Sequence, residues 1–348
     1  MALLTVEDLH KRFGSGPPVV SGLNFEMHEG EIFALLGPSG CGKTTTLRIL
    51  AGFEQEDAGS VRYGDRVICG NGSHVAAEKR GIGLVFQDYA LFPHLSVLEN
   101  VKFGIRHWPK SKRQARAEEV IRLVGLSGYE QRHPRQLSGG QQQRVAIART
   151  LAPQPRLILL DEPFSNLDAL LRQSTRREIR NVLKEAGMTA LLVTHDQEEA
   201  LSFADRVAVM RGGRIEQVGT PEEVYYRPRT LFVAQFLGRT NLLLSNAEGK
   251  TASTPLGRLL IDREVTGSVL LSLRPEHLAL GEPGSTPNAL QGHVLSREFK
   301  GHDITFTVEV DGSQYLAHTT NRIGFQPGDA VDLYPIEPAV VLEGVNPN

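Results

Sequence analysis

The chain has 348 residues, enough for about two domains. With 40% hydrophobic and 22% charged residues it can fill packed cores, which excludes a wholly disordered chain. A net charge of −2 gives no global electrostatic reason to bind nucleic acid or anionic membrane. Two cysteines, Cys41 and Cys69, are too few for a disulfide framework or a four-cysteine zinc site, and they point to a reducing compartment.

In chain order, residues 1–8 acquire acids at once and do not read as a signal peptide. Ile32–Leu36 reads as a buried strand and residues 44–51 as a helix. Residues 83–86 form a further strand, and residues 116–124 carry Val120, Ile121, Leu123 and Val124 at helical spacing. Residues 157–160 and 189–193 are two more apolar strands. Continuous apolar strands alternating with helices predict a largely parallel sheet covered on both faces. No apolar run approaches the roughly 18 residues that cross a bilayer, so a membrane role has to come through a partner. Near Gly238 the texture changes to short alternating runs. Val269, Leu271 and Leu273 share one face, as do Ile304, Phe306, Val308 and Val310, and Asp311-Gly312 is a hairpin turn signal. The expected division is therefore residues 1–237, α/β, and residues 238–348, a small all-β domain. From 241 onward seven basic residues face thirteen acidic ones, a net of −6, against +4 upstream. That acidity argues against nucleic acid as a partner of the β domain.

Gly37, Pro38, Ser39, Gly40, Cys41, Gly42, Lys43 and Thr44 fit G-x-x-x-x-G-K-[ST] between a predicted strand and a predicted helix. Such a loop turns its N–H groups onto phosphate oxygens, with the helix N-terminus adding a favourable dipole. Lys43 would reach the β- and γ-phosphates, and Thr44 would place its hydroxyl on Mg²⁺. Cys41 has no obvious histidine to activate it as a catalytic thiol. Strand 157–160 ends in Asp161 and Glu162. Asp161 would face the phosphate loop and hold Mg²⁺, while Glu162 would take a proton from attacking water. Strand 189–193 ends in Thr194-His195. His195 could contact a γ-phosphate, although a lone histidine after a strand is more often a surface or capping residue. Ser138 is an N-cap before a helical run through Gly139, Gly140 and Gln141. It opens either an ordinary capped helix or a second anion site, which a nucleotide sandwiched between two copies would use.

Together these segments closely resemble the ATP-binding subunits of ABC transporters. GPSGCGKTT from Gly37 to Thr45, Gln87 in VFQ, LSGGQQQR at residues 137–144, LILLDEP at 157–163, SNLD at 165–168 and Thr194-His195 occur in matching order and spacing over about the first 235 residues. The resemblance implies a P-loop NTPase fold: a RecA-like core with an antiparallel β subdomain, made by the N-terminal strands and residues 61–68, and a helical insert over roughly 88–150. It implies that Phe13 stacks on adenine, with a core phenylalanine as the alternative. It further implies that Gln87 ligates Mg²⁺ or water, that Ser138 and Gly140 contact the partner's ATP, and that Asp168 lies at the seam of a homodimer. Residues 89–94 resemble the surface that receives a coupling helix from the membrane subunit, with ordinary core as the alternative.

Phe236-Leu237-Gly238, Asn241 and Leu273-Arg274-Pro275-Glu276 resemble the regulatory OB-like (TOBE) domain of the importer branch that serves maltose, polyamines, sulfate and ferric iron. Residues 51–55 and 68–74 look most like ferric-iron importers. The implied protein is a peripheral ATPase on the cytoplasmic face of the inner membrane. It would bind ATP and Mg²⁺, pair with itself and two permease subunits, and serve a periplasmic or surface solute-binding protein. Polyamine, sulfate, thiosulfate or sugar import are alternatives within that role. An ABC-type ATPase acting on nucleic acid or ribosomes is a rival class, but the long inserts or second cassette of those proteins are missing. A regulatory module sensing solute or protein through the β domain could coexist with catalysis.

Overall fold

The structure, a computed structural model, describes residues 2–70, 72–287, 289–320 and 324–344, the side chains of Ala169 and Leu170 excepted. The expectations placed on the first residue and on Asn71 lie outside the described residues. The chain divides into two units, Met1–Pro221 and Glu222–Asn348.

In the first unit, strands β1 (Ala2–Arg12), β2 (Pro18–His28) and β3 (Ile32–Leu36) lead to helix α1 (Lys43–Ala51). Strands β4 (Ala58–Tyr63), β5 (Arg66–Gly70), β6 (Ser73–His74) and β7 (Ile82–Val85) follow. Three helices come next, α2 (Val97–Phe103), α3 (Lys110–Leu123) and α4 (Gly139–Leu151). Then come β8 (Leu157–Asp161), α5 (Ala169–Glu185), β9 (Thr189–Thr194), α6 (Gln197–Phe203), β10 (Arg206–Arg211) and β11 (Arg214–Gly219).

Two sheets result. One has the order β11-β10-β3-β9-β8-β7, parallel except for β11. Every residue of β3 and of β9 is buried. Ile32–Leu36 and residues 190–193 are therefore continuous apolar runs rather than alternating ones, as in a sheet covered on both faces, with buried Thr189 and Thr194 at the ends of β9. The other sheet, β2-β1-β4-β5-β6, is antiparallel. Leu4, Leu9, Leu23 and Met27 of the antiparallel sheet share one core with Phe33 and Leu35 of the parallel sheet and with Leu47 and Leu50 of α1. Helices α2, α3 and α4 form the expected helical segment.

The second unit contains α7 (Pro221–Tyr226) from its second residue onward, α8 (Leu231–Phe236), and strands β12 (Asn241–Thr254) and β13 (Gly257–Leu273). These are followed by β14 (Leu278–Gly281), β15 (Leu290–Phe299), β16 (Ile304–Val310), β17 (Ser313–Thr319), β18 (Ala330–Pro335) and β19 (Val340–Val341). The sheets are β12-β13-β19 and β14-β18-β15-β16-β17. Val269, Leu271 and Leu273 join Ile304, Phe306, Val308 and Val310 in its core. The turn between β16 and β17 is Asp311-Gly312 at φ 48° and 76°, the left-handed pair that a two-residue hairpin needs.

This unit begins at Glu222, sixteen residues before the change of texture at Gly238. The reason is Arg274, only 2% exposed. Its guanidinium donates to the backbone oxygens of Tyr225 (3.0 and 2.8 Å), Ala234 (2.8 Å), Gly238 (3.2 Å) and Arg239 (3.2 Å). It also lies 4.2 Å from the Tyr225 ring centroid. A buried cation has to find acceptors. Here it takes them from the helical segment that precedes the first strand, so that segment belongs to the β-rich unit.

Candidate nucleotide site

Gly37 to Gly42 connect β3 to α1. Gly40 and Gly42 have φ of 80° and 103°, where side-chain-bearing residues are strained. A Cβ on Gly37 would stand 2.4 Å from the Met210 oxygen, and one on Gly42 would stand 2.4 Å from the Val19 oxygen. The glycines are therefore required by close backbone approach as well as by conformation. No side chain caps α1, so its first amides stay available to an anion. Lys43 is buried, and its Nζ donates to the Gly37 and Pro38 oxygens at 2.8 and 3.0 Å. Thr44 and Thr45, which begin the helix after it, are half-buried. Burial pushes the Cys41 thiol up, against the opposing pull of Lys43, so it is no reactive thiolate.

The register of the parallel sheet gathers the other residues. Leu36 is level with Thr194, Asp161 with Val193, and Leu160 with Val85. The strands run the same way in the order β3-β9-β8-β7. Gly37, His195, Asp161-Glu162 and the Phe86-Gln87 pair therefore leave a common edge side by side. Burial pushes Asp161 above the usual carboxylate range, and Glu162 adds to this, while Arg48 and Lys43 oppose it. A part-buried carboxylate, a threonine hydroxyl at Thr44 and an amide oxygen at Gln87 are by their chemistry oxygen donors of the kind that suit Mg²⁺.

Glu162 has φ 42°, a strained value for a residue with a side chain, and its N–H donates to the Val193 oxygen at 2.9 Å. Its Oε1 accepts from His195 Nδ1 at 3.0 Å. Both line a cleft of about 250 Å³ with Gln87, Asn166, Arg172 and Glu199. Asn166 Nδ2 donates to the Gln87 oxygen at 2.8 Å, tying the end of β7 to the segment after β8.

Ser138 caps α4. Its hydroxyl accepts from Gln141 N–H at 3.4 Å, while Gln141 Oε1 accepts from Ser138 N–H at 3.0 Å, a reciprocal capping box. A Cβ on Gly140 would stand 2.9 Å from Thr175 Oγ1, and one on Gly139 would stand 2.9 Å from Leu167 Cδ2. Gly140 thus also packs closely against α5, while at Gly139 only the tip of a leucine side chain would have to move. Asp168 caps α5, its Oδ1 accepting from Leu171 N–H at 2.9 Å. Sequence reasoning assigned Asp168 only a place at a seam and left this cap out. Phe13 is 49% exposed with Lys11 Nζ 5.3 Å from its ring centroid, which removes the core alternative for that ring. Residues 89–94 are mixed: Tyr89 is buried, while Pro93 and His94 are exposed.

Glu199 and Arg172 were missed from the sequence, and Asn166 was seen only as part of SNLD at 165–168, with no role of its own. Only the polar run after Thr194 hinted at Glu199, and no short motif marks Arg172.

A buried lysine in a glycine loop, opening a helix off a central parallel strand, is how P-loop nucleoside triphosphatases hold phosphates, and the first unit has that fold and that arrangement of strand, loop and helix. The ABC transporter family model matches residues 20–165 and the TOBE domain model matches residues 271–342. A Fe(3+) ions import ATP-binding protein, FbpC, of Mesorhizobium japonicum is 45% identical over 89% of this chain and 88% of its own length. A spermidine/putrescine import ATP-binding protein, PotA, of Methylococcus capsulatus is 44% identical over 88% of this chain and 84% of its own. Among solved structures, CbiO1 of Clostridium perfringens, part of the ABC transporter complex CbiONQ, superposes with a TM-score of 0.60. It is 31% identical and covers 64% of this chain and 90% of its own. The chain belongs to the ATP-binding proteins of ABC importers and carries a C-terminal TOBE domain. It is an ATP-binding ATPase subunit. Among its described residues no helix is long and apolar enough to cross a membrane.

Proposed function

We propose that the chain is the ATPase of a ferric-iron importer and works as a homodimer on the cytoplasmic face of the inner membrane. Two permease subunits and a solute-binding protein would be its partners. The observation that carries the catalytic part is the row of parallel strand ends from which the loop at Gly37, His195, Asp161, Glu162 and Gln87 leave side by side.

Lys43 and the amides from Gly40 to Thr45 hold the β- and γ-phosphates. Phe13 offers an exposed ring for adenine to stack on. Thr44, Asp161 and Gln87 would hold Mg²⁺, which when bound neutralises charge developing on the phosphates. Glu162 accepts a proton from the attacking water. His195 uses Nδ1 to orient Glu162, leaving Nε2 for the γ-phosphate. Ser138, Gly139, Gly140 and Gln141 of one copy close on the nucleotide of the other, with Asp168 at the seam. Residues 89–94, with Phe86 39% and Phe103 40% exposed nearby in sequence, receive the permease.

Iron is favoured by the Fe(3+) relatives of Mesorhizobium japonicum and Rhodococcus jostii, the latter 44% identical over 97% of this chain. Polyamine is the second reading, favoured by the Methylococcus capsulatus relative at nearly the same identity. Two measurements test the proposal. The specific ATPase rate should fall on dilution, and an undiminished rate in a demonstrably monomeric sample contradicts the dimer. Co-purified with its permeases and binding protein, the complex should be stimulated by ferric iron. Stimulation by spermidine instead assigns the second reading.

A further inference from the structure

One carboxyl in the hydrolytic cleft has no part in the mechanism above. Glu199, on α6, is 3% exposed. Its Oε2 accepts from the Thr194 hydroxyl at 2.6 Å, and its N–H donates to Asp196 Oδ1 at 2.9 Å. The Thr194 oxygen in turn accepts from Asp196 N–H at 3.0 Å. These three bonds bracket residue 195. The peptide carrying His195 runs between two residues that the Glu199 carboxyl, its own backbone and the Thr194 hydroxyl hold in one arrangement. Outside this ring, Asp196 Oδ2 accepts from Arg172 Nη1 at 3.3 Å. The Glu199 carboxyl lines the same cleft as Glu162 and His195, and its Oε1 is buried without a hydrogen-bond partner.

A buried carboxyl used only for packing is an expensive way to fill space, since either charge state leaves something unsatisfied. Ionised, it carries a charge in a dry site. Protonated, it brings a further donor to a ring whose acceptors are already engaged. We propose, resting on the hydrolytic role given to Glu162, that Glu199 is a positioning residue for the Glu162–His195 pair: it holds the Thr194 hydroxyl, and through it the turn that presents His195 Nδ1 to Glu162 Oε1.

The charges around this carboxyl are coupled to the same pair. Burial raises its proton affinity most. The Thr194 hydroxyl opposes this, Asp196 and Glu162 raise it, and Arg176 lowers it, leaving Glu199 at about 7. Arg172 and His195 complete the charged or titratable groups of the cleft, and Glu198 lies beside it on α6, bound to Arg176 at 3.3 Å. The ionised form is the stronger acceptor for Thr194. The turn is therefore held best above neutrality.

The experiment is steady-state ATP hydrolysis by the full chain between pH 6 and 9, with variants Thr194→Val, Glu199→Ala, both together, and Glu199→Gln. Each of the first two should lower kcat about tenfold with KM for ATP unchanged, and the pair should lose no more than either alone. Glu199→Gln, whose amide oxygen still accepts from Thr194, should recover kcat to within about threefold of the parent. The parent's kcat should rise through pH 7 with a component that Glu199→Gln lacks. Additive losses, a change confined to KM, or a Glu199→Gln profile identical to the parent's each overturn the assignment. Should Glu199→Ala fail to fold, Thr194→Val and Glu199→Gln carry the test alone. Turnover surviving in Glu162→Gln sinks the hydrolytic reading itself. A dead Glu162→Gln beside an unaffected Thr194→Val overturns only the role of Glu199.

Discussion

The phosphate loop and the hydrolytic cleft lie on the same edge of one sheet but are built in opposite ways. Around the loop, Lys43 finds its acceptors six and five residues back, at Gly37 and Pro38, and the groups proposed for phosphate are Lys43 itself and nearby backbone amides. In the cleft, Glu162 comes from the end of β8, His195 from the end of β9 and Gln87 from beyond β7, and side chains do the work. The loop is a local device whose shape follows from glycine conformation. The cleft is a device of register, since a shift of one residue between β8 and β9 would separate Glu162 from His195. Damage to the loop should therefore register as lost binding, and damage to the cleft as lost rate.

The largest effect should come from Glu162→Gln. We expect kcat to fall by about a thousandfold while ATP affinity, measured by equilibrium binding, stays within about twofold. A matching loss of affinity would erase the distinction between the two regions. Lys43→Ala should show the converse, with ATP affinity roughly a hundredfold weaker because charge-assisted contacts to phosphate are gone. Unchanged affinity would remove the loop from the nucleotide site. Gly42→Ala should destabilise the fold by roughly 2 kcal/mol in chemical denaturation, from positive φ and the clash with the Val19 oxygen. A neutral result would show that the loop can relax, and would weaken the idea that its shape is fixed by glycine.

The smallest effect sharpens the picture of the cleft. Glu199 binds its proton more tightly in the folded chain, at about 7, than the ordinary 4.5 of an unfolded glutamate. Between those values the native state holds the extra proton, so its stability falls as pH rises through that window, and the full cost is present above about 7. Glu199→Gln should therefore raise Tm by a few degrees at pH 8 and by almost nothing at pH 4.5. An equal shift at both values would mean that Glu199 does not titrate there.

Features encoded locally could be read before the fold was known. The glycine spacing of residues 37–42, the cap at Ser138 and the apolar runs at Ile32–Leu36 and 157–160 each carry their own signal within a few residues. The β16–β17 hairpin was legible for the same reason, because Asp311-Gly312 specifies its turn. Glu199 was not legible. Its burial arises from the packing of α6, and nothing in its neighbours' identities distinguishes it from Glu198, whose side chain is largely exposed. For residues 89–94 the sequence left a docking surface and ordinary core both open, and Tyr89 is buried, at φ 61°, while Pro93 and His94 are exposed. Strand periodicity begins at 241, whereas the helices from Glu222 onward join the second unit through bonds to Arg274, far along the chain from them, and no local pattern announces that tie.

That arginine sets a rule for anyone dissecting the molecule. A C-terminal fragment cut at residue 238 discards the Tyr225 and Ala234 carbonyls, three of the five bonds that satisfy the Arg274 guanidinium, together with the tyrosine ring against it. What remains is a cation left with two of its five bonds, those to the Gly238 and Arg239 carbonyls, on a surface that its cover has just vacated. Cutting before Glu222 keeps the whole clasp, so sixteen residues that look like a tether are the lock of the module they precede.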